Sequence, residues 1–187
     1  MKYIDCIKVA ALYLDDASLS NYLNGNAMLT TETDRKIKQL CSFVDIIANE
    51  ICCEYFPIVK TEKIKSKNGR IDYEKLSEYV VDIRWVKRDG KKVNYDLLST
   101  AISVDSDCEY EVCYEYAPKE FSGDTSESIP LYGRITPRIV GIGAVAEYCL
   151  ATDRFDEAIA YDKMFKDALV GVEKSRGKLR IKQRRWA

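Results

Sequence analysis

The chain has 187 residues, of which 47% are hydrophobic and 32% are charged, and its formal net charge at pH 7 is −1. This length and composition are typical of one globular domain that buries its own core without stabilising disulfides or metal ions. No apolar stretch approaches the length that crosses a membrane, and the short apolar run at the amino terminus carries an acid. We therefore expect no membrane partner, no secretory signal and synthesis in the cytoplasm.

The amino-terminal third predicts two helices. Apolar residues recur at helical spacing over residues 3–14 and over residues 32–56. Thr31 and Asp34 fit a capping box at the start of the long helix, and Pro57 ends it. The apolar stripe of the long helix predicts core packing and consists of Ile37, Leu40, Cys41, Val44, Ala48, Ile51, Cys52 and Tyr55.

Residues 58–117 change to the alternation that is typical of strands, and they predict a small antiparallel β-meander inserted between helices. The pairs Asn68-Gly69 and Asp89-Gly90 are hairpin signals. The clearest strand covers residues 108–116, where one face is apolar and the other is wet. On the wet face, three glutamates form a ladder that favours a solubilising surface or a docking face for a basic partner over a metal site. The residues of that face are Glu109, Glu111, Cys113 and Glu115.

A polar loop over residues 118–130 leads to a predicted helical hairpin with helices at 137–151 and 153–171. Each helix has a candidate cap, since Thr136 precedes Pro137 at a first helical position, and Thr152 with Asp153 precedes the second helix. The residues predicted to be buried are Ile139, Val140, Ile142, Val145, Ala146, Cys149 and Leu150 in the first helix, and Phe155, Ala158, Ile159, Phe165, Leu169 and Val172 in the second.

The first helix of this hairpin contains Gly141 and Gly143 in a run that formally fits the G-x-G-x-x-A fingerprint of dinucleotide-binding folds. That fingerprint needs a buried strand and a sharp turn before it, whereas Pro137 opens a helix here. The glycines therefore predict a close approach of two helices.

The chain contains no histidine, which excludes Ser-His and Cys-His catalysis and His-ligated metal sites. The number of cysteines, seven, is odd and they form no C-x-x-C pair, so we interpret them as structural, with Cys41 and Cys52 as core thiols on the apolar stripe of the long helix. The aspartate pairs Asp15-Asp16 and Asp105 with Asp107 lie in turn-like segments, where Asp bonds the backbone. We expect no catalytic residue, no metal and no cofactor.

The carboxyl-terminal arm, residues 173–187, carries seven basic residues and one acid, a net charge of +6, so residues 1–172 carry −7. Residues 178–182 alternate as a strand does, and the arm of one copy could add to the sheet edge of a neighbour in a head-to-tail contact. The predicted partner-binding residues are Lys178, Leu179, Arg180, Ile181, Lys182, Arg184, Arg185 and Trp186.

Taken together, these elements predict an α+β fold. A mainly helical frame consists of the long helix in the amino-terminal half and the carboxyl-terminal helical hairpin, with the small antiparallel meander inserted between them and an extended basic arm at the carboxyl end. Residues 1–172 are expected to form a single domain.

The order and spacing of several segments resemble the head-to-tail adaptor (connector) proteins of tailed bacteriophages, especially the small helical connectors of phages of Gram-positive bacteria. The segments are CIKVAALYLDDASLSNYLNG, TDRKIKQLCSFVDIIANEICCEYFP, EYEVCYEYAPK, VAEYCL, RFDEAIAYDKMFKDAL and the terminal RRW. The resemblance implies a non-enzymatic structural virion protein of the phage neck. Such a protein forms a ring that joins the portal protein to a stopper or tail protein, and genomic DNA passes through it.

Two alternatives stay open. One is another neck or tail-completion protein, which the chain alone does not separate from an adaptor. The other is a nucleic-acid-binding module that uses the basic arm, although a dedicated DNA binder usually carries a basic stripe on folded elements, and the body of this chain is acidic.

Overall fold

A computed structural model describes residues 1–131 and 133–176, except for the side chains of residues 174–176. Within these residues the chain combines α-helices with two antiparallel sheets, which confirms the predicted α+β class. The chain divides into two compact units. Among the described residues, the helical unit comprises residues 1–44, 123–128 and 133–176, and the sheet unit comprises residues 45–122 and 129–131.

The helices are α1 Tyr3–Tyr13, α2 Ala17–Leu23, α3 Thr31–Glu50, α4 Pro137–Ala151 and α5 Phe155–Arg176. In the helical unit, α4 packs against both α1 and α5. An α-helix that is apolar nearly all round is a central helix, because every face of it is covered. This description fits α4, whose buried residues are Ile139, Val140, Gly141, Ile142, Gly143, Ala144, Val145, Ala146 and Cys149.

The stripe predicted for the long helix is confirmed, with seven of its eight residues buried and Tyr55 half-buried. The predicted cap is wrong by one residue. The hydroxyl of Thr30, not Thr31, accepts the N–H of Thr33 at 3.1 Å, and Thr33 itself is buried. The turn after α3, Ile51–Tyr55, is a π-helix, so the α-helix does not run to residue 56 as predicted.

Asp16 illustrates why paired aspartates occur in this chain. Its carboxylate caps α2 by accepting the N–H of Leu19 at 3.0 Å, and it binds the ammonium of Lys36 at 3.0 Å. Burial alone would raise the pKa of Asp16, but hydrogen bonds from Leu19, Ser18 and Lys36 outweigh it and lower the pKa to about 2. The interpretation of Asp16 as a backbone-bonding residue is confirmed.

The junction between α4 and α5 differs from the prediction. The hydroxyl of Thr152 donates to the carbonyl of Tyr148 at 2.8 Å, so Thr152 closes the end of α4 and does not cap α5. Asp153 adopts a left-handed conformation with φ of 59° and reverses the chain. At its other end, α5 continues past Gly171 to Arg176, because a single glycine costs a helix only about 1 kcal/mol.

The predicted start of α4 is partly confirmed. Pro137 takes the first helical position, and the carbonyl of Thr136 accepts the N–H of Ile139 at 3.0 Å. The Thr136 side chain, however, makes no capping hydrogen bond. The polar loop 118–130 is irregular as expected, and its Glu127 and Thr125 carbonyls accept the first N–H groups of α1.

Two sheets make up most of the sheet unit, and all their strand pairs are antiparallel. The strands are β1 Ile58–Lys65, β2 Arg70–Asp72, β3 Val80–Arg88, β4 Lys91–Lys92, β5 Asp96–Leu97, β6 Ala101–Ser103 and β7 Glu109–Tyr116. One sheet has the order β1-β7-β3-β4 and the other has the order β2-β6-β5. The predicted meander is therefore wrong, because β7 is inserted between β1 and β3.

The core of the sheet unit joins residues from both sheets: Ile71, Leu76, Ile83, Val86, Ile102, Val104, Tyr110, Val112 and Tyr114. On β3 the inward residues Val80, Ile83 and Val86 recur every third position instead of every second. The pairing of β3 with β7 shifts register between Val80 and Asp82 and again between Ile83 and Trp85. Each shift is a β-bulge that places two consecutive residues on the outer face.

Both predicted hairpin signals adopt tight turns, because each of their four residues has a positive φ. The turn at Asn68-Gly69 joins strands of different sheets, whereas the turn at Asp89-Gly90 joins β3 to β4. Asp107 holds the first turn, since its two carboxylate oxygens accept the N–H groups of Gly69 at 2.6 Å and Asn68 at 3.0 Å. These hydrogen bonds lower the pKa of Asp107 and confirm its role as a turn residue.

Candidate functional surfaces

The partner-binding residues predicted from the sequence, Lys178 to Trp186, lie outside the described residues. The arm was also predicted to begin at residue 173, but α5 includes residues 173–176.

The glycine-rich run of α4 is a packing motif. A Cβ atom on Gly141 would lie 2.8 Å from the Cβ and Cγ1 atoms of Val9 and 2.9 Å from the carbonyl oxygen of Cys6. The backbone of α1 therefore approaches α4 more closely than any side chain at position 141 permits. The interpretation of the run as a site of close helix approach is confirmed.

Three apolar residues that the periodicity predicted in the core are exposed instead. Leu150 lies in the last turn of α4, and Phe155 and Ile159 lie one turn apart on α5 with 56% and 69% of their surfaces exposed. The face of α5 that packs inward instead contains Ala158, Phe165 and Leu169. We refer to Phe155 and Ile159 as the knob. Asp156 and Lys163, both exposed, lie beside it.

A groove lies between α4 and α5, towards the start of α4. It encloses about 430 Å³, and its walls are Arg138, Ile139, Ile142, Met164, Asp167 and Ala168. Met164 is 41% exposed. We refer to these six residues as the groove. It is apolar along its floor and carries one cation and one anion at its rim.

The end of α1 orients one wall of the groove. The Nε of Arg138 donates to the hydroxyl of Tyr13 at 3.1 Å. The hydroxyl of Tyr161 donates to the Tyr13 carbonyl at 3.1 Å, and the two tyrosine rings meet edge to face with centroids 5.9 Å apart. Since a guanidinium has five donors, Arg138 keeps others for a further acceptor.

The outer face of the larger sheet is not acidic, although it contains the predicted glutamate ladder. Glu111 stands directly between Lys63 and Lys87, and Glu109 stands opposite Lys65. Glu115 accepts a hydrogen bond from the Nε of Arg84 at 2.6 Å. These basic neighbours weaken the interpretation of the ladder as a docking face for a basic partner.

A row of lysines crosses the sheet at the level of Glu111. In register across the four strands stand Lys63, Glu111, Lys87 and Lys92, which together carry a net positive charge. The ammonium of Lys87 lies 4.0 Å from the centre of the Trp85 ring. We refer to Lys63, Lys87 and Lys92 as the lysine row.

Cys113 was predicted on the wet face, and its side chain is on that face but buried. It stands directly opposite Thr61 on β1 and Trp85 on β3, and the large indole explains how a residue of this face loses contact with water.

Beside the lysine row, Arg88 anchors a polar cluster at the start of β7. Its Nη1 donates to the hydroxyl of Ser106 at 2.9 Å, and the Tyr110 hydroxyl donates to Asp105 at 2.7 Å. The hydrogen bond from Tyr110 and the charge of Arg88 lower the pKa of Asp105. The pKa of Cys108 is also lowered, chiefly by its interaction with Tyr110. The cluster fixes the end of β3 to the start of β7 and holds Arg88 in place.

The interpretation of Cys41 and Cys52 as core thiols is confirmed, since both are buried. Burial raises the pKa of Cys6 and of Cys52 to about 12, so neither is a thiolate near neutral pH. Over residues 1–131 and 133–176, no three cysteine or carboxylate side chains converge on a metal position. In the same residues, no helix combines the length and apolar character needed to cross a bilayer.

Sequence reasoning missed the knob, the groove and the lysine row. The lysine row depends on the register of the strands, and the knob depends on the rotation of α5 about its axis. Neither can be read from the spacing of residues along the chain. The sequence matches no family model, and no curated protein matches it significantly.

Proposed function

We propose that this protein is a non-enzymatic structural component of a tailed-phage neck, a connector that assembles as a ring between the portal protein and a stopper or tail protein. The proposal rests on the resemblance described for the sequence, which covers most of the chain. Its proposed location is the virion, with genomic DNA passing through the ring.

One observation carries the proposal. The helical hairpin of α4 and α5 presents the knob, two large apolar side chains, to solvent where the apolar pattern would have buried them. Apolar side chains exposed together with charges around them are typical of a surface that contacts another protein. A structural adaptor needs such surfaces on its folded body in addition to its arm.

Capture by portal rings tests the proposal. Since α5 ends at Arg176, removal of residues 177–187 leaves every described helix and strand in place. We expect the shortened chain to keep its helical circular dichroism and melting transition but to lose capture by purified cognate portal rings, because the predicted docking arm is gone.

A matched control for the capture experiment is Leu97→Ala, which trims an exposed apolar residue of the sheet unit. This variant should be captured like the full chain. A full chain that portal rings never retain would contradict the connector function. A shortened chain that is retained as well as the full chain would contradict the role of the arm.

The lysine row favours a second candidate function, binding of nucleic acid through phosphate contacts. The sequence argued against such a module because it showed no basic stripe on folded elements, and the sheet supplies one. The chain should then bind duplex DNA, and log K should fall with log salt with a slope of roughly −3 if the three lysines each neutralise one phosphate.

Alanine at Lys63, Lys87 and Lys92 together should remove this DNA binding, as measured by fluorescence anisotropy. The same change of net charge at Lys8, Lys38 and Lys119 serves as the control and should leave most of the affinity. If only the deletion of residues 177–187 abolishes binding, the arm and not the row is the nucleic-acid contact.

A further inference from the structure

The knob and the groove lie at opposite ends of one helical hairpin. Phe155 and Ile159 follow the tight junction between α4 and α5, whereas the groove is built from the first two turns of α4 and the middle of α5. The knob of one copy can therefore bind the groove of a second copy, and each copy keeps its other surface for a further neighbour.

The charges at the two surfaces are complementary. Asp156 directly follows Phe155, between the two knob residues in the chain, and can face Arg138 at the groove rim. Lys163, one turn beyond Ile159, can face Asp167 at the other rim. The groove of about 430 Å³ accommodates large apolar side chains, and the exposed thioether of Met164 adapts to their shape.

We infer that the occupant of the groove is a second copy of this chain, whose Phe155 and Ile159 insert between Ile139, Ile142 and Met164. The inference deepens the connector proposal and rests on it for the closure of the contacts into a ring. Contacts that join two different surfaces repeat from copy to copy, and they form a ring if the rotation closes and a filament if it does not.

Two variants isolate the two surfaces. Ile159→Asp places a charge on the knob and Met164→Asp places one in the groove, and both positions are exposed enough for the fold to tolerate the change. Each should lower the self-association constant of the full chain by about tenfold or more in sedimentation velocity. Leu12→Asp, at an exposed leucine of α1, is the control and should associate like the unchanged chain.

Mixing the two variants gives the sharpest result. A knob variant keeps its groove and a groove variant keeps its knob, so an equimolar mixture should form a dimer of one copy of each and grow no further. Circular dichroism of each variant checks that it is folded. A photo-crosslinking residue at position 159, in a mixture of ordinary and isotope-labelled chains, should join residues 138–142 or 164–168 of another copy.

Several outcomes would overturn the contact: self-association that both variants retain, a mixture that forms no dimer, or a crosslink from position 159 to residues of another copy outside the groove. A chain that stays monomeric at all concentrations yet is captured by portal rings would overturn the contact and leave the connector proposal standing. A chain that forms the contact but is not captured by portal rings would overturn the connector proposal and leave the contact standing.

Discussion

Replacement of Phe165 by alanine is expected to lower the free energy of unfolding of the helical unit by about 3–5 kcal/mol, as for other buried phenylalanines. Phe165 is only 1% exposed and lies on the inward face of α5 between Ala158 and Leu169. Its removal leaves a cavity whose walls belong to packed helices, which relax only in part.

Phe155→Ala is the matched control, since it makes the same chemical change on the same helix. Because Phe155 is 56% exposed, we expect its replacement to change the free energy of unfolding by no more than about 0.5 kcal/mol. Urea unfolding followed by helical circular dichroism measures both variants. Equal destabilisation by the two would mean that α5 is rotated about its axis relative to the arrangement described.

Replacement of Gly141 by alanine should also destabilise the helical unit, by about 1–3 kcal/mol, even though alanine is the better helix former. The added methyl group would lie 2.8 Å from Val9 and 2.9 Å from the backbone oxygen of Cys6, and a backbone atom cannot move aside as a flexible side chain does. The helices α1 and α4 must therefore separate.

Gly171→Ala isolates the effect of helix propensity, because a Cβ on Gly171 meets nothing within 4 Å. It should stabilise α5 by up to about 1 kcal/mol. Thermal melting of both variants shows the contrast as shifts of opposite sign. A Gly141→Ala variant that melts with or above the unchanged chain would contradict the close crossing.

Elements with strong local signals could be predicted from the sequence. The stripe of α3 extends over many residues, so one misjudged position does not change its face. The turns at Asn68-Gly69 and Asp89-Gly90 were predictable because few residue pairs tolerate two positive φ angles. Pro137 marked the start of α4 for a similar reason, since its φ is fixed.

The strand order could not be predicted in the same way. β7 pairs with β1 and β3, which lie far from it in the chain, and the tight turn after β1 leads to a strand of the other sheet. The bulges of β3 also broke the expected alternation, since Val80, Ile83 and Val86 face inward at a spacing of three. A pattern of period two misplaces such a strand.

The surfaces were harder to predict than the fold. Phe155 and Ile159 share apolar spacing with the core residues of α5, and only the rotation of the helix about its axis separates the two groups. The lysine row joins residues of β1, β3 and β4 through register alone. The predicted arm residues were recognised by their composition, which gives the charge of a segment but not its conformation.

The position of β1 at the edge of its sheet bears on how two copies of the chain can meet. β1 ends the four-stranded sheet, and its exposed side chains include Lys63 and Lys65. Lysines on an end strand oppose its pairing with another strand, because the two strands would bring like charges together. The like charges therefore disfavour joining of two copies sheet to sheet through β1, and in the proposed connector the basic arm of a neighbour would meet the same repulsion there.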